Sequence, residues 1–112
     1  MNMLFKPALL AASLVFLAPM SHAVDAAAAK ALAQKSACLS CHAVDKKLVG
    51  PSYKDVAAKH KGEAGVLDKV AARIKSGGSG IYGPIPMPPQ PNLKDDELKL
   101  LAGWILAGAP DK

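Results

Sequence analysis

The sequence predicts an all-α fold of about four helices. Apolar residues recur at intervals of three and four in residues 66–74 and 98–105, and glycines follow both runs. No stretch shows the alternation of apolar and polar residues that is typical of a half-buried strand. Of the 112 residues, 51% are hydrophobic but only 4% are aromatic, so few large side chains are available to fill a core.

The N-terminal segment is predicted to be a cleaved signal peptide. It has a positive charge at Lys6, an apolar stretch over residues 8–17 and small residues that end at Ala23. The apolar stretch is too short for a bilayer-spanning helix, which needs roughly 20 residues, and this length disfavours the alternatives of a membrane anchor or a buried N-terminal helix. We therefore expect a signal peptide at 1–23 and one domain at 24–112, without stable membrane insertion.

The expected mature domain has few bulky residues and a modest positive charge. Cleavage would remove both phenylalanines and leave Met87 as the one methionine. A bulky apolar prosthetic group would supply the missing interior.

Only Lys6 of the charged residues would be lost by cleavage, which leaves 13 basic against 9 acidic side chains. Without a basic run or interleaved aromatic residues, this excess does not indicate nucleic-acid binding. It is consistent with plain solvation or with steering toward acidic partner surfaces.

The first helix leads into a segment that contains both cysteines of the chain. Asp25 is predicted to cap a helix that continues to about Ala37, followed by Cys38-Leu-Ser-Cys41-His42. In an exported protein, two cysteines form a disulfide by default. A thioredoxin-type dithiol would need a preceding strand, which the sequence lacks. A zinc site would need a fourth ligand, for which only His60 and carboxylates remain.

Covalent haem attachment accounts for this segment best, because C-x-x-C-H is its recognised signature. On a helical turn, Cys38 and Cys41 are neighbours, so each can form a thioether to one vinyl group of the porphyrin. His42 lies one position further on, where its imidazole can reach the iron. A histidine ligand leaves the sixth iron position to be filled, and the group that fills it separates electron transfer from catalysis.

Met87 is the strongest candidate for the sixth ligand, ahead of His60 and the lysines. It lies in a loop with five prolines, which restrict φ and so reduce the entropy lost when the loop is ordered. The alternative is that Met87 fills core space within a proline-rich linker. His60 precedes Gly62 and is expected at an exposed helix end, although a histidine can also titrate near neutral pH and modulate a potential.

Helix signals account for the rest of the chain. Ser52 is predicted to cap a helix that runs to about His60, and the third helix presents Val66, Leu67, Val70 and Ile74. A long loop over residues 76–93 precedes the last helix, which is predicted to start at Asp95 or Asp96. The apolar face of that helix consists of Leu98, Leu100, Leu101, Trp104 and Ile105.

Taken together, these motifs resemble the small class I bacterial cytochromes c of the cytochrome c-551 (c8) family. The resemblance rests on CLSCH at 38–42, VGPSYKDVAAK at 49–59, RIKSGGSGIYGPIPMPPQ at 73–90 and LAGWIL at 101–106. It implies a class I cytochrome c fold, with about four helices wrapped around one covalent haem c and with crossing terminal helices. It also implies thioether bonds to Cys38 and Cys41, and axial ligation by His42 and Met87.

The same resemblance implies further contacts with the haem. The Pro51 carbonyl would accept a hydrogen bond from His42, while Arg73 and Tyr82 would lie near a propionate. The sequence departs from the family at three positions. Tyr82 stands where Trp is more frequent, Gln90 where many members have Asn, and His60 where an aromatic residue is common.

The resemblance further implies a monomeric, periplasmic one-electron carrier rather than an enzyme. Expected partners are quinol-oxidising complexes upstream and nitrite reductase, cytochrome c peroxidase or a terminal oxidase downstream. One competing hypothesis is a haem enzyme or gas sensor in which Met87 leaves the iron open. Another is a binding module without haem, in which the two cysteines form a disulfide.

Overall fold

The computed structural model describes residues 11–16 and 25–112. The predicted signal peptide, 1–23, lies outside the described residues apart from 11–16, which are exposed and have no regular secondary structure. Four α-helices follow, namely α1 (Ala26–Lys35), α2 (Tyr53–Lys59), α3 (Val66–Ser76) and α4 (Asp95–Leu106). Among the described residues, strand pairing is limited to one isolated bridge between Gly78 and Met87, so the all-α prediction is confirmed. None of the described helices has the length and apolar character needed to cross a bilayer.

Helix α1 begins where the sequence predicts but ends earlier. The Asp25 carboxylate accepts a hydrogen bond of 2.9 Å from the backbone N–H of Ala28, which makes it the N-cap. The helix stops at Lys35 rather than near Ala37, because Ala37 adopts a left-handed conformation with φ of 60°. This turn directs the chain into the cysteine segment.

Helices α2 and α4 are also capped by local side chains. Ser52 Oγ accepts a hydrogen bond of 3.1 Å from the Asp55 N–H, as predicted for the start of α2. Helix α4 starts at Asp95, and the Glu97 carboxylate accepts a hydrogen bond of 3.0 Å from the Lys94 N–H just before it. Acidic residues in this first turn also interact favourably with the helix dipole.

The core forms around α4, against which α1, α2 and α3 all pack. Trp104 and Leu101 are its largest fully buried side chains. Ala29 and Ala33 of α1 are completely buried, and such small side chains allow the two terminal helices to approach closely. Leu67 was predicted to lie on the apolar face of α3, but its side chain is exposed; Ala71 takes the buried position instead.

Candidate functional site

A large cavity opens between the cysteine segment, α2, α3 and the proline-rich loop. Its volume is about 640 Å³, within the range of roughly 300–1,000 Å³ that is usual for ligand and cofactor sites. The lining is predominantly apolar. It includes all seven residues that the sequence singled out, Cys38, Cys41, His42, Pro51, Arg73, Tyr82 and Met87.

The cysteine segment forms one tight turn on the cavity wall. Residues Cys38–Ser40 are a 3₁₀ helix, and the N–H groups of Cys41 and His42 both donate to the Cys38 carbonyl, at 3.2 and 3.0 Å. The turn thus holds both sulfurs and the imidazole at the same cavity. Both sulfurs are half-buried.

The imidazole of His42 is held on three sides. Its Nδ1 donates a hydrogen bond of 2.8 Å to the Pro51 carbonyl, which leaves Nε2 as the nitrogen available to a metal. The ring stacks on Tyr53 with a centroid separation of 5.2 Å and an interplanar angle of 18°. A Cβ atom at Gly50 would lie only 2.4 Å from His42 Cε1, so only glycine fits against this ring without movement.

Sequence reasoning missed Tyr53 as part of this site. Its ring contacts His42 on one side and the edge of Trp104 on the other, at 5.5 Å, so it connects the imidazole to the core of α4. Burial, reinforced by the nearby Cys38 thiol, raises the pKa of Tyr53 well above its usual range. The sequence feature that could have pointed to Tyr53 is an aromatic residue two positions after Pro51, at the start of a capped helix.

The methionine loop, residues 77–94, is tied to α3 through its backbone. Gly78 and Met87 exchange two backbone hydrogen bonds, of 3.0 and 2.9 Å, and the Gln90 N–H donates to the Lys75 carbonyl at 3.0 Å. Gly77 has φ of +66°, and a Cβ atom there would lie 2.4 Å from the Met87 carbonyl oxygen. These contacts hold Met87, half-buried, in the cavity wall.

Arg73 and Tyr82 are polar residues of the cavity lining. Within the described residues, the Arg73 guanidinium has no carboxylate partner. Burial raises the pKa of Tyr82, and the positive charge of Arg73 partly opposes this shift. His60 does lie at the end of α2, as its C-cap, but the expectation that this end is exposed is wrong, because its side chain is only 13% exposed and contacts Tyr82 and Glu63. Local sequence patterns could not indicate this contact, because His60 and Tyr82 are 22 residues apart in the chain.

One of the alternatives for the cysteine segment finds no basis in this geometry. No strand precedes Cys38 in residues 25–37, as a thioredoxin-type dithiol would need.

Comparison with known proteins identifies the family. The family model of cytochrome c matches residues 26–109. The chain belongs to the cytochrome c family.

Within that family, this cytochrome groups with the class I cytochromes c-551. It is 53% identical to cytochrome c-551 of Pseudomonas aeruginosa over 76 residues, which cover 68% of this chain and 72% of that protein. It is 58% identical to cytochrome c-551 of Azotobacter vinelandii over 69 residues, or 62% of this chain and 83% of that protein.

Solved structures show the same fold. Cytochrome c552 of Nitrosomonas europaea is 46% identical and aligns with a TM-score of 0.68 over 70% of this chain and 98% of its own. The class 1 cytochrome MtoD of Sideroxydans lithotrophicus is 34% identical, with a TM-score of 0.67 over 79% of this chain and 100% of its own. The predicted class I cytochrome c fold is therefore confirmed.

Family membership establishes the cofactor and the general activity. This cytochrome carries one covalently attached haem c with its iron, and it is an electron carrier rather than an enzyme. The cavity fits that cofactor, since two cysteine sulfurs and an imidazole with a free Nε2 line a predominantly apolar space. Gly50 has no side chain, and this leaves the space that the His42 imidazole occupies.

Proposed function

We propose that this cytochrome is a periplasmic one-electron carrier with His42 and Met87 as axial ligands and thioether bonds to Cys38 and Cys41. The observation that carries this proposal is that these four side chains, from segments more than 40 residues apart, line one cavity. When bound, haem c supplies reversible one-electron chemistry. The protein residues then hold the group, exclude other ligands and set its potential.

His42 is suited to act as the strong axial ligand. The hydrogen bond from Nδ1 to Pro51 selects the tautomer with a free Nε2 and increases the basicity of that nitrogen. Stacking on Tyr53 and contact with Gly50 limit rotation of the ring. The imidazole is thus oriented before it binds, so little reorganisation accompanies a change in charge.

Met87 is suited to act as the weak, soft ligand. A thioether competes poorly with water or nitrogen bases, so its position has to be imposed by the protein. The paired backbone bonds to Gly78 and the adjacent prolines supply that constraint. A sulfur ligand favours the ferrous state relative to a second histidine and so raises the potential.

Arg73 and Tyr82 are proposed to face the haem propionates. Arg73 lines the cavity without an acidic partner in the described part of the chain, so its charge is available to a propionate. Tyr82 lies on the same wall and carries the polar hydroxyl that the sequence predicted there. Compensation of the propionate charge lowers the cost of burying it.

Electrons are proposed to pass at the cavity mouth. Val49, Ile81 and Ile85 line the cavity and are 50%, 39% and 59% exposed, so they form an apolar rim. Lys47 contributes a positive charge beside them. Redox partners typically dock through small interfaces, and a positive border would favour partners with acidic surfaces.

The cellular setting follows from the predicted signal peptide. We propose that cleavage after Ala23 releases a monomeric domain, 24–112, into the periplasm. Its partners would be redox proteins, namely a quinol-oxidising complex as donor and nitrite reductase, cytochrome c peroxidase or a terminal oxidase as acceptor. No nucleic acid is expected among them. Intact mass of the exported protein tests the cleavage site, since the mature chain should begin at Val24 and carry the mass of one haem.

Optical spectroscopy tests the ligand set. The native protein should be low-spin, with an iron–sulfur charge-transfer band that persists under carbon monoxide. Met87→Ala should abolish that band, admit carbon monoxide and lower the potential, because the sixth position loses its sulfur. Ile85→Ala, at a position in the same loop that is 59% exposed, is the matched control and should leave the band intact.

The same measurements separate the competing hypotheses. An iron that is high-spin or binds carbon monoxide in the native protein would favour a haem enzyme or gas sensor and refute the carrier. Haem staining after denaturing electrophoresis tests the attachment, since only a thioether-linked cofactor stays with the chain. Cys38→Ser combined with Cys41→Ser should abolish this staining. Staining that survives the double change would refute attachment at these residues.

A further inference from the structure

His60 lies in the wall of the haem cavity, together with Glu63, Lys69 and Tyr82. It follows α2 as its C-cap, and its Nδ1 lies 2.6 Å from Glu63 Oε2. Its Nε2 is within hydrogen-bond distance of the Tyr82 hydroxyl, with the two rings edge to face. Lys69 Nζ binds the other Glu63 oxygen at 2.9 Å. A continuous polar chain therefore runs from Lys69 to Tyr82.

The chemistry of these groups determines which atom donates. An ionised carboxylate only accepts, and hydrogen bonds from His60 and then from Lys69 lower the pKa of Glu63, so Nδ1 of His60 is the donor. A neutral imidazole has one N–H, so Nε2 is an acceptor. The Tyr82 hydroxyl must then donate to His60. In this state its single proton is held by His60 and is not available to another acceptor in the cavity.

Protonation of His60 reverses that hydrogen bond. Both ring nitrogens of an imidazolium are donors, so Nε2–H would donate to the Tyr82 oxygen. The phenolic proton would then be free to donate elsewhere. Tyr82 and Arg73 line the same cavity wall, where the haem propionates are the expected acceptors. A single proton at His60 thus decides whether Tyr82 donates to His60 or toward the haem.

We propose that His60 is a positioning residue that controls the direction of the Tyr82 hydrogen bond and thereby couples the reduction potential to pH. This inference rests on the proposed function, because it requires propionates near Tyr82. Glu63 completes the switch by holding the imidazole in one tautomer.

Electrostatics determines whether the reduction potential rises or falls with pH. A protonated His60 adds positive charge near the haem, and a phenol that donates to a propionate offsets negative charge there. Both disfavour the more positive ferric state, so the potential should fall when a rise in pH removes the proton from His60. The charged or titratable neighbours that share this field are Lys59, Glu63, Lys69, Arg73 and Tyr82.

Potentiometric titration between pH 5 and pH 9 tests the proposal in the holoprotein. The wild type should show one downward step, and a tenfold difference in proton affinity between the two redox states would appear as about 59 mV. His60→Gln keeps a hydrogen-bond acceptor but cannot titrate, so it should abolish the step. Tyr82→Phe should reduce the step, because the charge of His60 remains but the phenol is lost.

A retained step in His60→Gln, or an undiminished step in Tyr82→Phe, would overturn the proposal. Nitrogen NMR of the ferrous wild type gives an independent readout, in which the His60 proton should reside on Nδ1 at high pH. A proton on Nε2 would contradict the assigned direction. Failure of the proposed function looks different, since it would make the iron high-spin or open to carbon monoxide in every variant.

Discussion

Substitution of Gly50 by alanine probes the support of the axial histidine. The added Cβ would lie 2.4, 2.8 and 3.0 Å from Cε1, Nδ1 and Nε2 of His42. Carbon atoms prefer separations of roughly 3.5–4.0 Å, so the ring must move by about 1 Å. Overpacking of this kind costs about 1–3 kcal/mol, and strain on the hydrogen bond to Pro51 adds about 1 kcal/mol. We expect the free energy of unfolding to fall by about 2–4 kcal/mol.

Urea unfolding of the holoprotein, followed by haem absorbance, measures this loss. The midpoint should move down by about 1 M or more, and the absorbance of the low-spin haem should change because the imidazole tilts. Gly62→Ala is a useful control, since open space surrounds that site but its φ is +76°. It should cost roughly 1–2 kcal/mol in backbone strain and leave the haem spectrum unaltered. An unchanged midpoint and spectrum in Gly50→Ala would refute the packing described for His42.

Further predictions concern the methionine loop, the core and acid stability. Gly77→Ala should displace the backbone of Met87 and weaken its charge-transfer band, which absorbance under carbon monoxide would detect. Trp104→Phe should lower the free energy of unfolding by about 1–3 kcal/mol in a denaturant titration, because the Pro110 carbonyl loses its 2.9 Å bond. Hydrogen bonds from His60, and then from Lys69, lower the pKa of Glu63 below its ordinary value of 4.5. The stability from this group is therefore present above that value and lost as pH falls below it. Glu63→Gln should flatten the corresponding part of a stability–pH profile, and an unaltered slope would contradict this origin.

Local features made the haem segment and the helices predictable. The spacing of Cys38, Cys41 and His42 places three groups on one turn, which the hydrogen bonds to the Cys38 carbonyl close locally. Helix starts at Asp25 and Ser52 were likewise correct, because capping depends on hydrogen bonds to N–H groups three residues away. The assignment of these residues as haem ligands stays a prediction that the proposed spectra will test.

Errors arose where a residue's environment comes from a distant segment. Leu67 follows the helical spacing but lies on the exposed side of α3, because the orientation of α3 against α4 decides which face is covered. His60 was expected in solvent, yet the methionine loop places Tyr82 against it. Tyr53 and Gly50 went unnoticed for the same reason, since their importance depends on where the His42 ring stands.

The sequence by itself determined the helices, the class of cofactor and the candidate ligands, because each depends on residues within a turn or two of one another. The tertiary structure decided that Met87 and His42 share one cavity, that the imidazole rests between Tyr53 and Gly50, and that His60 contacts the cavity wall. The physical reason is how far apart in the chain the interacting residues lie. Hydrogen bonds and caps along the chain are encoded by spacing, whereas packing between segments depends on the joint arrangement of all helices around the core.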